Sequence, residues 1–440
     1  MSIYNDWGFQ NTPFSTDPLS PDEVGESLLV GRDSEIGRLR KRILNPPKLA
    51  TVEGQNGVGK TSLINVAVYQ LMRESAETQS RRLFLPCVKR FQLTASTTVE
   101  TFKRDVILGA AQTILVYQDI IESSGLDLPD VDAIDKWINT SLFKSGGARA
   151  SIGVADVGNV GVGASKVTAP NTSEGFTSAG MERQIESWLS TTFPSPDTGG
   201  IVAIIDNLEL LQTSTSAKRK FEELRDPVLS IPGIRWVLAG SSGITYGVAA
   251  SPRMEGRLHT PIEVGSLPDD TGGMILSSRI KGYAISPDSA YLPLTSESFK
   301  ELYDILHGNL RSSLSYADNY CMWASDLESL PDSGEDKDLL FQSWLKDTAT
   351  EVYDAVGAQL RPRAWQTFRR AIEIGGSFSP GQYKEFGLNS IPALRPSVRD
   401  LEGVGILQST EDESDRRRRT ISVLPKGWLL AHADRLIENY

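Results

Sequence analysis

The chain has 440 residues, 39% of them hydrophobic and 23% charged, and a formal net charge of −11. At ~150 residues per domain this length suggests about three domains, and the composition excludes wholesale disorder. No stretch approaches the ~18–20 apolar residues of a membrane span, the start lacks the apolar core of a secretory signal, and two cysteines, Cys87 and Cys321, exclude a disulfide framework. A cytoplasmic protein with no membrane contact is expected. The three histidines, His259, His307 and His432, are far apart in sequence and argue against a His-based metal site or triad. Residues 350–440 carry +1 and the remainder −12, so any nucleic-acid contact must be local.

In chain order, residues 1–28 are rich in Pro, Ser, Asn and Asp and read as an extended strap. Arg32–Leu44 has helical spacing. Lys48–Val52 is a short β-type run, followed by a glycine loop and a periodic helix from Lys60 to about Met72. Arg82–Val88 is a buried-strand candidate, and Val99–Val116 is helical. The stretch 146–180 is dominated by Gly, Ala, Ser and Val and reads as an inserted hairpin turning at Gly158-Asn159. Ile201–Ile205 is a fully apolar strand. A helix follows around Lys218–Leu229, then strands at Trp236–Ala239 and Ile262–Val264. Strands alternating with helices predict an α/β fold, a three-layer parallel-sheet core over 29–267. Residues 268–330 read as a helical lid, and Leu330–Asp338 as an acidic linker.

The tail, 350–440, has its own pattern. Ala364–Ile374 and Pro380–Phe386 read as two helices. A third starts with Pro396 at its first position and ends at Gly403. Val404–Gln408 and Thr420–Leu424 are strand-like and bracket EDESDRRRR. Helix–turn–helix followed by a two-stranded wing is the winged-helix pattern, whose third helix can enter the major groove of DNA. Arg395 and Arg399 flank that helix's exposed side, and Arg416, Arg417, Arg418 and Arg419 belong to the wing. Four acids, Glu411, Asp412, Glu413 and Asp415, stand directly before them. DNA binding, a self-neutralised hairpin tip and a winged helix used for protein contacts are the three readings of this tail.

The strongest motif is Gly54-Gln55-Asn56-Gly57-Val58-Gly59-Lys60-Thr61, which matches GxxxxGK[ST] at every fixed position between a strand and a helix. Glycines let successive N–H groups point at phosphate oxygens, and the helix N-terminus favours anions. Lys60 reaches the β/γ-phosphates and the Thr61 hydroxyl is placed for Mg²⁺. Ser62 completes the nucleotide-binding run. The second element is the strand Ile201–Ile205 ending in Asp206, the expected Mg²⁺-side carboxylate, with Glu209 the nearest second carboxylate to polarise water. The third is Ser241, at the tip of the strand Trp236–Ala239, where a hydroxyl could touch the γ-phosphate. ATP and Mg²⁺ are the expected cofactors.

This order of motifs resembles AAA+ ATPases, and more narrowly the origin-recognition initiator-like ATPases and the STAND signalling NTPases. Leu29-Val30-Gly31-Arg32-Asp33-Ser34-Glu35 resembles the box that lines the adenine pocket in such families, which implies nucleotide contacts for Val30 and Arg32. Ser251–Leu258 lies where the family carries its arginine finger, which implies Arg257 first and Arg253 second as the residue acting on a neighbour's γ-phosphate. Gly308-Asn309-Leu310-Arg311 resembles the start of the lid helix with its nucleotide-sensing arginine, Arg311. The family usually has Glu directly after the Asp, whereas this chain has Asn207, which implies slow hydrolysis. The resemblance implies an ATP-dependent switch that forms homo-oligomers and acts on DNA or an effector protein, as in antiviral defence or mobile elements. The alternatives are a replication-initiator-like DNA-binding ATPase and a non-catalytic nucleotide-binding scaffold.

Overall fold

A computed structural model of the chain describes residues 2–78, 82–128, 178–211, 214–241, 248, 251–268, 271–286, 289–357, 359–411 and 419–438. The expected glycine-rich hairpin, apart from its last three residues, lies outside them, as do Ser242-Gly243 and Arg416–Arg418. The side chain of Arg419 is not described either.

The chain begins with α1 (Ile3–Asp6), α2 (Glu23–Leu28) and α3 (Asp33–Ile43). It continues with β1 (Ala50–Glu53), α4 (Lys60–Glu77), β2 (Leu83–Pro86), β3 (Phe91–Gln92), α5 (Val99–Val116), α6 (Gln118–Ser123) and α7 (Ser178–Thr192). Then come β4 (Gly199–Asp206), α8 (Ser214–Leu224), β5 (Ile234–Gly240) and β6 (Ile262–Glu263). The sheet order is β2-β4-β5-β1-β6 with β3 also on β4, and every pair is parallel. The apolar runs follow from burial on both faces. Ile201, Ala203 and Ile205 of β4 join one core cluster, Val202 and Ile204 the other; Trp236 and Leu238 of β5 oppose Val237 and Ala239 likewise. The chain is therefore α/β with a parallel sheet, as its sequence predicts. The two-residue strands β3 and β6 owe their conformation to their partners rather than to a run of their own. The helix expected over 218–229 runs from Ser214 to Leu224 instead, because the chain turns off toward β5.

A helical segment follows: α9 (Thr271–Tyr283), α10 (Ser296–Ile305), α11 (Leu310–Ser325) and α12 (Gly334–Gly357). The acidic stretch 330–338 is not a free linker. Ser333 Oγ accepts the Asp336 amide at 3.1 Å, and α12 starts at Gly334. Asp338 then accepts the Ser298 hydroxyl at 2.6 Å, and Lys337 Nζ sits 4.4 Å from the Tyr291 ring centroid. The same acidic, Gly-containing composition that suggests a linker is what starts a helix.

The strap also departs from its expectation. It contains α1 and α2, and its aromatic residues are core: Phe9 and Phe14 are 0% and 2% exposed, in one cluster with Phe299, Tyr320 and Phe341 of the helical segment. The Tyr4 hydroxyl donates to Asp318 at 2.6 Å. Its middle lies on α4, where the Leu19 amide donates to Ser62 Oγ at 3.1 Å and Asn65 Nδ2 to the Leu19 carbonyl at 2.7 Å.

The C-terminal part comprises α13 (Pro362–Glu373), β7 (Ser377–Phe378), a 3₁₀ segment Pro380–Phe386, α14 (Ile391–Gly403), β8 (Leu407–Glu411), β9 (Arg419–Val423) and α15 (Pro425–Glu438). Its antiparallel sheet has the order β7-β9-β8. Pro396 does not open its helix: Ser390 is the N-cap, Pro392 takes the first turn, and Pro396 lies inside at the cost of one backbone bond. The first wing strand starts at Leu407 rather than Val404, because Gly405 turns the chain with φ +73°. Helix α15 joins two cores: Leu429 and Ala433 pack with the helical segment, Leu430 and Ala431 with the C-terminal part.

If the strap is core, Phe14→Ala lowers unfolding stability by about 3–5 kcal/mol. A denaturation midpoint equal to wild type would show that it is not.

Candidate functional site

The end of β1 fixes the site. After Glu53 the chain turns through a glycine loop into α4. At Gly54 a Cβ would stand 2.3 Å from the Val264 carbonyl oxygen, so only glycine passes there. Gly57 and Gly59 have φ of +87° and +95°, the left-handed region that glycine enters freely. Gly59 is the N-cap of α4, so the first amides of an 18-residue helix open into the loop.

Lys60 is 6% exposed, and its Nζ donates to the carbonyls of Gly54 at 2.8 Å and Gln55 at 3.0 Å. Burial pushes the pKa of this ammonium below its ordinary value; Glu209 and Asp206 pull it back up, and Arg311 pushes it further down. The strand β4 ends at Asp206, which is 6% exposed. Its Oδ2 accepts the Thr61 hydroxyl at 2.7 Å and its Oδ1 the Asn207 amide at 2.9 Å. These are hard oxygen ligands of the kind Mg²⁺ takes.

Asn207 has φ +55°, a left-handed conformation that asparagine accepts far better than a longer side chain. This explains the departure at that position: the strand turns directly into the 3₁₀ turn Leu208–Leu211, which carries Glu209. Glu209 Oε2 is buried and has no hydrogen-bond partner among the described residues.

The helical segment closes the other side. The Arg311 amide donates to the Gly57 carbonyl at 3.1 Å, and Asn309 Nδ2 to the Asn56 carbonyl at 2.9 Å. Asn309 also caps α11 by accepting the Ser312 amide at 3.1 Å. One cavity is lined by Asn56, Gly57, Gly59, Lys60, Thr61 and Ser62 together with Asp206 and Arg311. Asn207, Arg279, Leu310, Leu314 and the strap residues Thr16, Asp17 and Pro18 line it too. The sequence singles out Asn207 only as the place of an expected Glu and Leu310 only as part of the Gly308–Arg311 motif, and it gives no sign of the other five. The strap has no periodicity to betray its path, and Arg279 looks like any helical surface arginine.

Other expected residues stand elsewhere. Arg32 is 5% exposed, with its guanidinium committed to the Gly265 carbonyl at 2.6 Å, the Val58 carbonyl at 3.3 Å and Glu35 at 3.1 Å. It braces the loop from behind and does not line the cavity. Val30 packs against the helical core, and Val58 is buried in the sheet core. Ser241 directly follows β5, whose Gly240 carbonyl accepts the Gly54 amide at 3.2 Å. That places Ser241 beside the loop, although it does not line the cavity.

Arg257 is at the far edge of the sheet, where its carbonyl accepts the Leu49 amide at 2.7 Å. Five residues of strand, roughly 16 Å at ~3.3 Å each, separate Leu49 from Gly54. Its side chain therefore cannot serve the loop of its own chain. Arg253 is exposed in the same segment. Arg395 and Arg399 are exposed one turn apart on α14, while Leu394, Val398 and Leu401 are buried.

If the turn after Asp206 selects Asn207, Asn207→Gly folds normally and Asn207→Glu loses about 1–2 kcal/mol from left-handed strain. Equal stability of the two variants by denaturant titration would contradict this.

No family model matches the chain, and no curated protein matches it. Among solved structures, it is similar to the Aeropyrum pernix ORC2 protein, solved as ADPNP–ADP complexes: 12% identity, 98% of this chain and 99% of that one covered, TM-score 0.45. It is similar to the Walker-type ATPase PABY2304 of Pyrococcus abyssi, with 14% identity, 96% and 100% covered and a TM-score of 0.46. It is also similar to the Aeropyrum pernix ORC1 protein in complex with DNA, with 13% identity, 94% and 98% covered and a TM-score of 0.40. The likeness runs the length of the chains but stays below a TM-score of 0.5, and the site described above stands on its own residues.

Proposed function

We propose that the chain is an ATP-binding, slowly hydrolysing P-loop ATPase. The observation that carries this reading is the Thr61 hydroxyl on Asp206 at 2.7 Å, beside a buried Lys60 under a glycine loop. A site for phosphate and a divalent cation accounts for a buried lysine, hydroxyl and carboxylate converging on helix N-terminal amides. Mg²⁺, when bound, would neutralise charge on the β- and γ-phosphates, held through Thr61 and Asp206. Lys60 would leave the carbonyls of Gly54 and Gln55 for the phosphates. Glu209, with its unpartnered oxygen, would orient the attacking water. Arg311, whose backbone is bonded to Gly57, would read the phosphates from the lid.

On this reading Lys60→Ala abolishes turnover of a folded protein. Glu209→Gln binds ATP but slows hydrolysis by ~10²–10⁴-fold, the range of a lost general base. Wild-type turnover in Lys60→Ala would refute the site, and in Glu209→Gln the base. Arg257 serves an oligomer: mixing Arg257→Ala with Lys60→Ala protein restores part of the turnover, because each defect lies on opposite sides of a shared interface. No rescue in proven mixed oligomers would leave Arg257 structural.

The exposed pair Arg395 and Arg399 supports DNA as the target, with the C-terminal part acting as a winged helix. This favours the initiator-like alternative over a signalling switch. Each phosphate neutralised on duplex DNA adds roughly 0.9 to the negative slope of log affinity against log salt. Replacing both arginines with Ala lowers that slope or relaxes sequence preference. A double variant with unchanged slope and preference would make the module a protein-docking surface.

A further inference from the structure

Arg279 lies on α9 and is 4% exposed, yet it lines the cavity that holds Lys60, Thr61 and Arg311. Its Nη1 donates to the carbonyls of Pro13 at 2.9 Å and Ser15 at 3.1 Å. No carboxylate pairs with it among the described residues. A guanidinium has five N–H donors, and two carbonyls leave its charge uncompensated. Buried arginines are rarely tolerated without an anion, because removing the charge from water is costly. Burial here pushes its pKa below the ordinary value, with Tyr283 pulling slightly the other way. The residues that follow its two carbonyl partners, Thr16, Asp17 and Pro18, form one wall of the same cavity. The next, Leu19, is fastened to Ser62 and Asn65 of α4. The strap therefore spans from α9 to the phosphate-loop helix across the cavity.

We propose that Arg279 is a phosphate-binding residue, a third cation beside Lys60 and Arg311, and that its grip on Pro13 and Ser15 couples phosphate binding to the position of the strap. This rests on the ATP-site reading. Phosphate supplies the missing counter-charge. Asp17, exposed on the strap wall of the cavity, is the acidic residue with which a phosphate would share that lining.

The test titrates wild type, Lys60→Ala, Arg279→Gln and Arg279→Lys with ATP·Mg²⁺ and with inorganic tripolyphosphate, each variant checked by thermal unfolding. Arg279→Gln should weaken both probes at least tenfold, and Arg279→Lys, which keeps the charge, should recover most of the loss. In wild type, tripolyphosphate should slow amide exchange over residues 13–19, a readout that needs no variant. Tight tripolyphosphate binding by folded Arg279→Gln, equal losses in the Gln and Lys variants, or exchange over 13–19 that ignores tripolyphosphate would each overturn the inference. A wild type that binds neither probe would overturn the ATP-site reading with it. Loss in Lys60→Ala without loss in Arg279→Gln overturns this inference alone.

Discussion

The Thr61–Asp206 hydrogen bond requires β1 and β4, which are not neighbours, to end at the same edge of the sheet. β5 lies between them and sets their registers: Glu53 pairs with Gly240 and Ile205 with Leu238. The run of apolar residues on both faces of β4 and β5 thus has a chemical consequence. It holds a carboxylate and a hydroxyl, 145 residues apart in sequence, at hydrogen-bond distance. The surrounding features depend on that edge. Arg32 ties the loop to the chain after β6, Gly54 admits the Val264 carbonyl, and the amides of α4 point into the space left between.

The helical segment meets the glycine loop through polar contacts at Asn309 and Arg311. Asn309 both caps α11 and bonds to the loop carbonyl of Asn56, so the start of the helix and the top of the phosphate loop are one hydrogen-bonded unit. Two residues before it, His307 stacks on Trp428 of α15 with ring centroids 4.3 Å apart. This stack ties the residues before α11 to the last helix, which itself joins the helical and C-terminal cores.

The glycine loop was legible because its geometry fixes residue types at fixed spacing: glycines where the backbone must turn, then the lysine and threonine that start the helix. The strand into Asp206 was legible because Ile201–Ile205 is an unbroken apolar run, which the structure buries on both faces. Legibility ended where a role depends on residues far away in sequence. Arg32 belongs to a recognisable box, but only the fold reveals that carbonyls of Val58 and Gly265 consume its donors. The polar strap conceals Phe9 and Phe14 as core residues, because two aromatics without spacing carry no pattern. The stretch 330–338 has the composition of a linker, and only Ser298 and Tyr291 explain why it is packed. Asn207 reads as a missing catalytic residue in sequence and as a left-handed turn in the structure.

On the proposed reading, the loop at 54–62 and the start of α11 at 309–314 together form one ATP site. Hydrogen exchange of the full chain with and without ATP·Mg²⁺ tests it most directly. Exchange should slow in both segments at once, with the effect lost in Lys60→Ala. Unchanged exchange in both segments at saturating ATP would contradict it.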